Sequence, residues 1–257
     1  MKSNQSDAAL LYSKIQREGF QGYGNGLIDK KIEKFSHNKR NKRILEIGGS
    51  SGEHIQYITK ENFFQWSSYE ILDLEPGETN PKLFHELGDS GVVFTRGSCE
   101  RMPYQDSVFD MVLMTCVLAH LSNVEKCLFE IRRVLSHSGV LVIGLPCDPG
   151  FLNRTVKKFI TYPKMKKYGI TNPKLDYARN HRNGISNLLT LIEHVFSSDD
   201  LNVRFYPFRL RSWNFNLFAL VIVNVIKLDV GSVIQKKECH GEFMHSKHLS
   251  ECDVQND

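Results

Sequence analysis

Short apolar runs alternate with amphipathic stretches along most of the chain, and the period of each predicts its fold. Arg43 to Ile47 is an apolar run that stops at glycine. Ser68–Leu74, Val92–Thr95, Asp110–Thr115 and Val140–Leu145 repeat that brevity, as parallel strands buried on both faces do. Between them, Val124, Cys127, Leu128, Ile131, Val134 and Leu135 recur at spacings of three and four, predicting a helix that Ser122 and Glu125 would open as a capping box. A second such helix runs through Ile185, Leu188, Leu189, Ile192, Val195 and Phe196. Helical character is also expected at 8–17 and 27–35 and just after Gly52, and two further strands, about Leu201–Tyr206 and Leu217–Leu228, should pair antiparallel at a sheet edge. The alternation predicts an α/β fold: a doubly wound, seven-stranded, mainly parallel sheet with an antiparallel last strand.

Composition narrows the class. With 257 residues, 41% of them hydrophobic and 24% charged, the chain can bury a substantial core. We expect one domain over 1–235, with N-terminal helices at 1–40, a ligand-binding half at 40–150 and an insert at 151–182. The segment 236–257 has few apolar residues and three histidines and is expected to be disordered. The longest apolar run, Leu217 to Ile226, is broken by Asn224 and covers about half of the roughly 20 residues a spanning helix needs, so it reads as a buried strand. The six cysteines form no CxxC pair and no zinc-ligand spacing, which predicts buried free thiols and no metal site. No apolar leader follows Met1, so a cytoplasmic location is expected.

The net charge of +4 is uninformative until it is resolved along the chain. Residues 151–182 hold nine lysines and arginines against one acid, Asp176, which makes the insert +8 and the remainder −4. Such a cluster beside a binding site favours an anionic acceptor, or contact with anionic lipid headgroups, over the plainer reading of a solvated helix face. Tyr162, Tyr168 and Tyr177 lie within it, suited to stacking on a sugar or base ring.

In a doubly wound sheet ligands bind at the carboxyl ends of the strands, so the turn after the first strand carries most weight. It reads Ile44-Leu45-Glu46-Ile47-Gly48-Gly49-Ser50-Ser51-Gly52-Glu53-His54. Gly48, Gly49 and Gly52 allow close backbone approach, but neither the dinucleotide GxGxxG spacing nor a phosphate-loop lysine is present. Glu46, two residues before the first glycine, suits a cationic or amine-bearing ligand and would repel a pyrophosphate. Asp73 ends the second strand 27 residues on, where an acid accepts both hydroxyls of a ribose. Cation, amine and ribose together describe S-adenosylmethionine.

On these residues the chain resembles the class I S-adenosylmethionine-dependent methyltransferases, in particular their small-molecule branch. The resemblance rests on LEIGGSSGEH at 45–54, on Asp73, on GSCERMPYQDSVFDMVLMTCVLAHL at 97–121 and on RRVLSHSGVLVIGLPCDPG at 132–150. It implies a Rossmann-like fold in which Glu46, Gly48, Gly49 and Gly52 hold the methionine part, Asp73 the ribose, Ser98 and Cys99 the adenine, while Thr115 faces the methyl end. Ser50 stands where the family has its middle glycine, and Ser98 where it has an aspartate.

For the acceptor side, His120 lies just past the fourth strand, and Tyr177, His181, Arg182 and Asn183 close the basic insert. His181 is the first candidate base and His120 the second, because imidazole takes a proton near neutral pH. Arg182 and Asn183 are expected acceptor contacts, although Asn183 suits a helix cap equally well. Cys147 lacks the companion motifs of a methyltransferase nucleophile and reads as a buried or loop thiol. This half looks like the methyltransferases found with bacterial surface-polysaccharide enzymes, which implies methyl transfer to oxygen or nitrogen of a nucleotide sugar or glycan intermediate. RNA is a less favoured acceptor, and a non-catalytic binding module on the same fold is the reading from a different class.

Overall fold

The computed structural model describes residues 42–52, 54–55, 66–77 and 80–226. The helices expected at 8–17 and 27–35, most of the helix after Gly52, and the tail 236–257 lie outside them. The first strands are β1 (Lys42–Ile47), β2 (Trp66–Asp73), β3 (Val93–Arg96) and β4 (Phe109–Thr115). They are followed by β5 (Leu135–Pro146), β6 (Asp200–Tyr206) and β7 (Phe218–Asn224), forming one sheet in the order β3-β2-β1-β4-β5-β7-β6. Neighbours from β3 to β5 are parallel, whereas β7 is antiparallel to both β5 and β6, as the pattern predicted.

The topology positions the site. The chain moves outward from β1 through β2 to β3 and then returns to β4 on the other side of β1. The carboxyl ends of β1 and β4 are therefore the switch point of the sheet, the place at which doubly wound sheets bind ligands.

Alternate strand residues feed two cores. One face of the sheet buries Leu45, Val112, Met114 and Ile143 against α2 (Val124–Val134) and α6 (Ile185–Val195). The other buries Ile44, Ile71, Met111 and Leu113, with Leu87 of α1 (Pro81–Asp89) among them. The central strands are apolar on both faces because both faces are covered.

Helix α2 departs from its prediction at both ends. Its N-cap is Asn123, whose side-chain oxygen accepts from the Lys126 amide at 3.0 Å, and the Ser122 hydroxyl instead meets the Arg182 guanidinium at 2.8 Å. Leu135 is already extended (φ −69°, ψ 137°) and begins β5 opposite Phe109, five residues earlier than the apolar run suggested.

The basic insert is helical. Phe151–Val156 (α3) continues through a π turn, Lys157–Thr161, into Tyr162–Lys167 (α4), with right-handed helical backbone at both junctions. After a turn, Asn172 caps α5 (Pro173–Asn180) by accepting from the Leu175 amide at 3.1 Å. The chain then returns through His181 to Gly184 and enters α6.

Candidate active site

The glycine turn is built by close packing from three directions. Gly48 has φ +75°, and a β-carbon there would collide with Val117 from the loop after β4. At Gly49 a β-carbon would lie 2.7 Å from the Glu46 carboxyl carbon and 2.9 Å from Ile71 Cγ2. Gly52, at φ +81°, sits against Leu87 and Ile71. Ser50 also takes positive φ, 48°, and its amide donates to Asp73 Oδ2 at 2.9 Å. A left-handed non-glycine residue is thus held by the carboxylate that ends β2. The Gly77 amide donates to the Ser50 carbonyl at 3.2 Å, and the Asn80 amide to Ser51 Oγ at 2.7 Å, joining the turn to the segment after β2.

Glu46 is 2% exposed, and both its oxygens are engaged. Oε1 lies 2.6 Å from His54 Nδ1, and Oε2 accepts from the Tyr69 hydroxyl at 2.7 Å. His54 Nε2 in turn stands 3.5 Å from Thr115 Oγ1. A carboxylate, an imidazole and a hydroxyl therefore link β1 to the end of β4 beneath the turn. Sequence reasoning assigned no part to His54 or Tyr69. His54 lay in the quoted motif, but Tyr69 approaches Glu46 only through the β1–β2 register, in which Ile44 is opposite Tyr69 and Glu46 opposite Ile71.

The other cofactor candidates stand at the same edge. Asp73 Oδ1 accepts from the Glu75 amide at 2.9 Å, leaving lone pairs on both oxygens for ribose hydroxyls. Ser98 Oγ accepts from the Glu100 amide at 3.2 Å in the turn after β3. Cys99 is buried, and its hydrogen bond with Cys127, together with burial, drives the Cys127 thiol strongly upward. The loop beyond is clamped by Arg133, which makes a fork to Glu130 at 2.8 Å on both sides and donates to the Tyr104 and Met102 carbonyls at 2.7 and 3.2 Å. A glycine cradle that any side chain would fill, with an acid at the end of β2, fits S-adenosylmethionine. Gly48 and Gly49 would take the methionine part and Asp73 the ribose.

Beyond β4, the acceptor candidates form a stack. Lys157 is 7% exposed; its ammonium pairs with Asp148 and sits 3.9 Å from the Tyr177 ring centroid. The Tyr177 and His181 rings are 3.9 Å apart and 5° from parallel, and His120 follows at 4.5 Å. An ammonium and a ring at the same short height must take opposite faces of Tyr177, so this ring is the middle of the stack and offers no platform for a substrate ring. Burial pushes the His181 imidazole down to about 3, with the charges of His120 and Lys157 acting in the same direction, and lowers His120 as well. His120 Nδ1 lies 2.7 Å from the Asn180 carbonyl. A carbonyl only accepts, so that nitrogen carries the proton and Nε2 keeps the lone pair.

Asn183 is committed to the scaffold. Its amide donates to the Leu118 and Leu121 carbonyls at 3.0 and 2.8 Å, while the Arg182 and Asn183 backbone amides both reach the Ala119 carbonyl. It does not cap α6, whose N-cap is Gly184. Cys147 is fully buried, which pushes its thiol up to about 12 and removes it as a nucleophile.

A seven-stranded sheet in this order, with a glycine turn after β1 and an acid ending β2, defines the class I methyltransferase fold. Residues 45–143 match the family model described as a methyltransferase domain. The hybrid PKS-NRPS synthetase pydA of an Acremonium species is 28% identical over 130 residues, which are 48% of this chain and 3% of that protein. The phthiotriol/phenolphthiotriol dimycocerosates methyltransferase 1 of Mycobacterium ulcerans is 32% identical over 102 residues, 39% of this chain and 36% of that one. The chain thus covers well under half the length of either relative. The solved structure of a SAM-dependent methyltransferase from Aquifex aeolicus superposes with a TM-score of 0.54 at 15% identity, covering 83% of this chain and 98% of that one. Residues 45–143 are thus a methyltransferase domain by that match, set in the class I fold, and S-adenosylmethionine is the cofactor the match implies.

Proposed function

We propose that the chain methylates an oxygen or nitrogen of a small anionic acceptor of the nucleotide-sugar or glycan-intermediate type. The observation that carries this reading is the stack of Lys157, Tyr177, His181 and His120, which joins the cation-rich helical insert to the loop after β4. The sulfonium supplies a methyl group that needs no further activation, so the chain's own residues have to align the acceptor, exclude water and, for a hydroxyl, remove a proton. His120 Nε2 is the nitrogen suited to that proton, since Nδ1 is spent on Asn180. His181 supports the His120 ring by contact and stays neutral throughout the physiological range. Lysines and arginines on the insert draw in an anionic group.

The test is transfer of labelled methyl to nucleotide sugars, lipid-linked glycans, RNA and a β-ketoacyl thioester. Label on a sugar-containing acceptor is the expected result, with His120→Gln lowering kcat by roughly a hundredfold or more and leaving cofactor affinity intact. Label confined to RNA or to the thioester carbon overturns the acceptor class. Full kcat in His120→Gln removes the base from the mechanism.

A further inference from the structure

Two segments that meet at the carboxyl edge of the sheet form a surface whose exposed apolar side chains have no part in the proposed reaction. The helix that begins at Phe151 and the connection between β6 and β7 are neighbours: Asn153 Nδ2 donates to the Leu217 carbonyl at 3.2 Å, and a β-carbon on Gly150 would collide with the Trp213 carbonyl. Of the eleven large apolar side chains exposed among the described residues, six stand here: Phe151, Phe159, Ile160, Phe208, Leu210 and Phe215. Phe159 is 67% exposed and Phe208 63%, which is costly in water unless something covers them. Arg154, Lys158, Lys166, Lys167, Arg209 and Arg211 are exposed around them, and neither 149–175 nor 201–226 contains an aspartate or glutamate.

We propose that this face docks on an anionic lipid bilayer, with the apolar tips entering the headgroup layer and the cations pairing with lipid phosphates. Mixed apolar and cationic side chains without a single acid are what such an interface requires. Charge complementarity excludes a second copy of the same face, since two such surfaces would repel. Ile160 and Leu210 have no π face on which a nucleic-acid base could stack, so RNA would leave them in water. No helix among the described residues is long and apolar enough to cross a membrane, so the contact is peripheral. The face lies at the edge where the glycine turn leaves β1, because β6 and β5 both end there opposite Phe218. A docked molecule would therefore hold its site toward the lipid surface, whatever acceptor it uses.

The test is co-sedimentation of the full chain with vesicles of phosphatidylcholine alone and of phosphatidylcholine with phosphatidylglycerol, at low and high salt. The expected result is binding to the anionic vesicles only, weakened by salt. Phe159→Ser with Phe208→Ser, and separately Lys166→Glu with Lys167→Glu, should each weaken it roughly tenfold or more. Both pairs are on the surface, so S-adenosylmethionine affinity by calorimetry should stay at the wild-type value, which separates a failure of docking from a failure of the cofactor site. Equal binding to neutral vesicles, or wild-type binding by both variant pairs, overturns the proposal. So does absence of vesicle binding together with a dimer, or an RNA complex, that the same substitutions dissolve.

Discussion

Gly49 and Gly88 show how one residue type can carry opposite meanings. Gly49 has Glu46 and Ile71 where a β-carbon would go, whereas Gly88, in α1, has nothing within 4 Å. Gly49→Ala should displace Glu46 from His54 and Tyr69, lowering stability by about 1–3 kcal/mol and weakening S-adenosylmethionine by at least roughly tenfold. Gly88→Ala should raise stability by roughly 0.5–1 kcal/mol, because a glycine in the last turn of a helix forfeits backbone entropy without gaining contacts. Urea denaturation and calorimetry on the pair read both effects, and equal behaviour would mean that the turn is not packed as described. The glycines and Glu46 were legible in the sequence because the motif is local. The partners that fix Glu46 were not, since Tyr69 arrives from a neighbouring strand.

Among the elements, the irregular segment between α5 and α6 joins the acceptor side to the exit of β4. Asn183 belongs to that join, with its amide donating to two carbonyls of the 118–121 loop. Asn183→Ala should cost about 1–2 kcal/mol. Asn183→Asp should cost more, because a carboxylate would face carbonyl oxygens it cannot donate to. If Asn183 instead served an acceptor, its substitution would raise KM while leaving the urea midpoint unchanged. The amphipathic period of α2 was readable and its cap was not, because Ser122 and Asn123 are both good caps and the contact with Arg182 draws Ser122 away. Lys157 counted toward the charge of the insert, yet the fold buries it against Asp148 and Tyr177, leaving one fewer surface cation.

For the whole molecule, the half-buried histidine pair couples stability to pH. An unfolded histidine titrates near 6.5, whereas folded His181 is held at about 3 and His120 is also lowered. Above pH ~6.5 both states are neutral and the pair is without effect. Below it the unfolded chain binds protons that the folded chain refuses, so stability falls with pH at up to about 1.4 kcal/mol per unit for each histidine. A series of urea midpoints through the weakly acidic range should show that fall, and His181→Phe, which keeps a ring in the stack, should make it shallower by about one proton. An unchanged slope would place His181 in water. The order of elements, the doubly wound sheet and the edge that carries the cofactor turn all follow from local periods of apolar residues and from glycine spacing, and these could be read in the sequence alone. Which side chains close around Glu46, which cation is buried, how Tyr177 is sandwiched and where the apolar tips gather depend on contacts between residues far apart in the chain. Such contacts exist only after the strands have chosen their neighbours, and no local pattern encodes that choice.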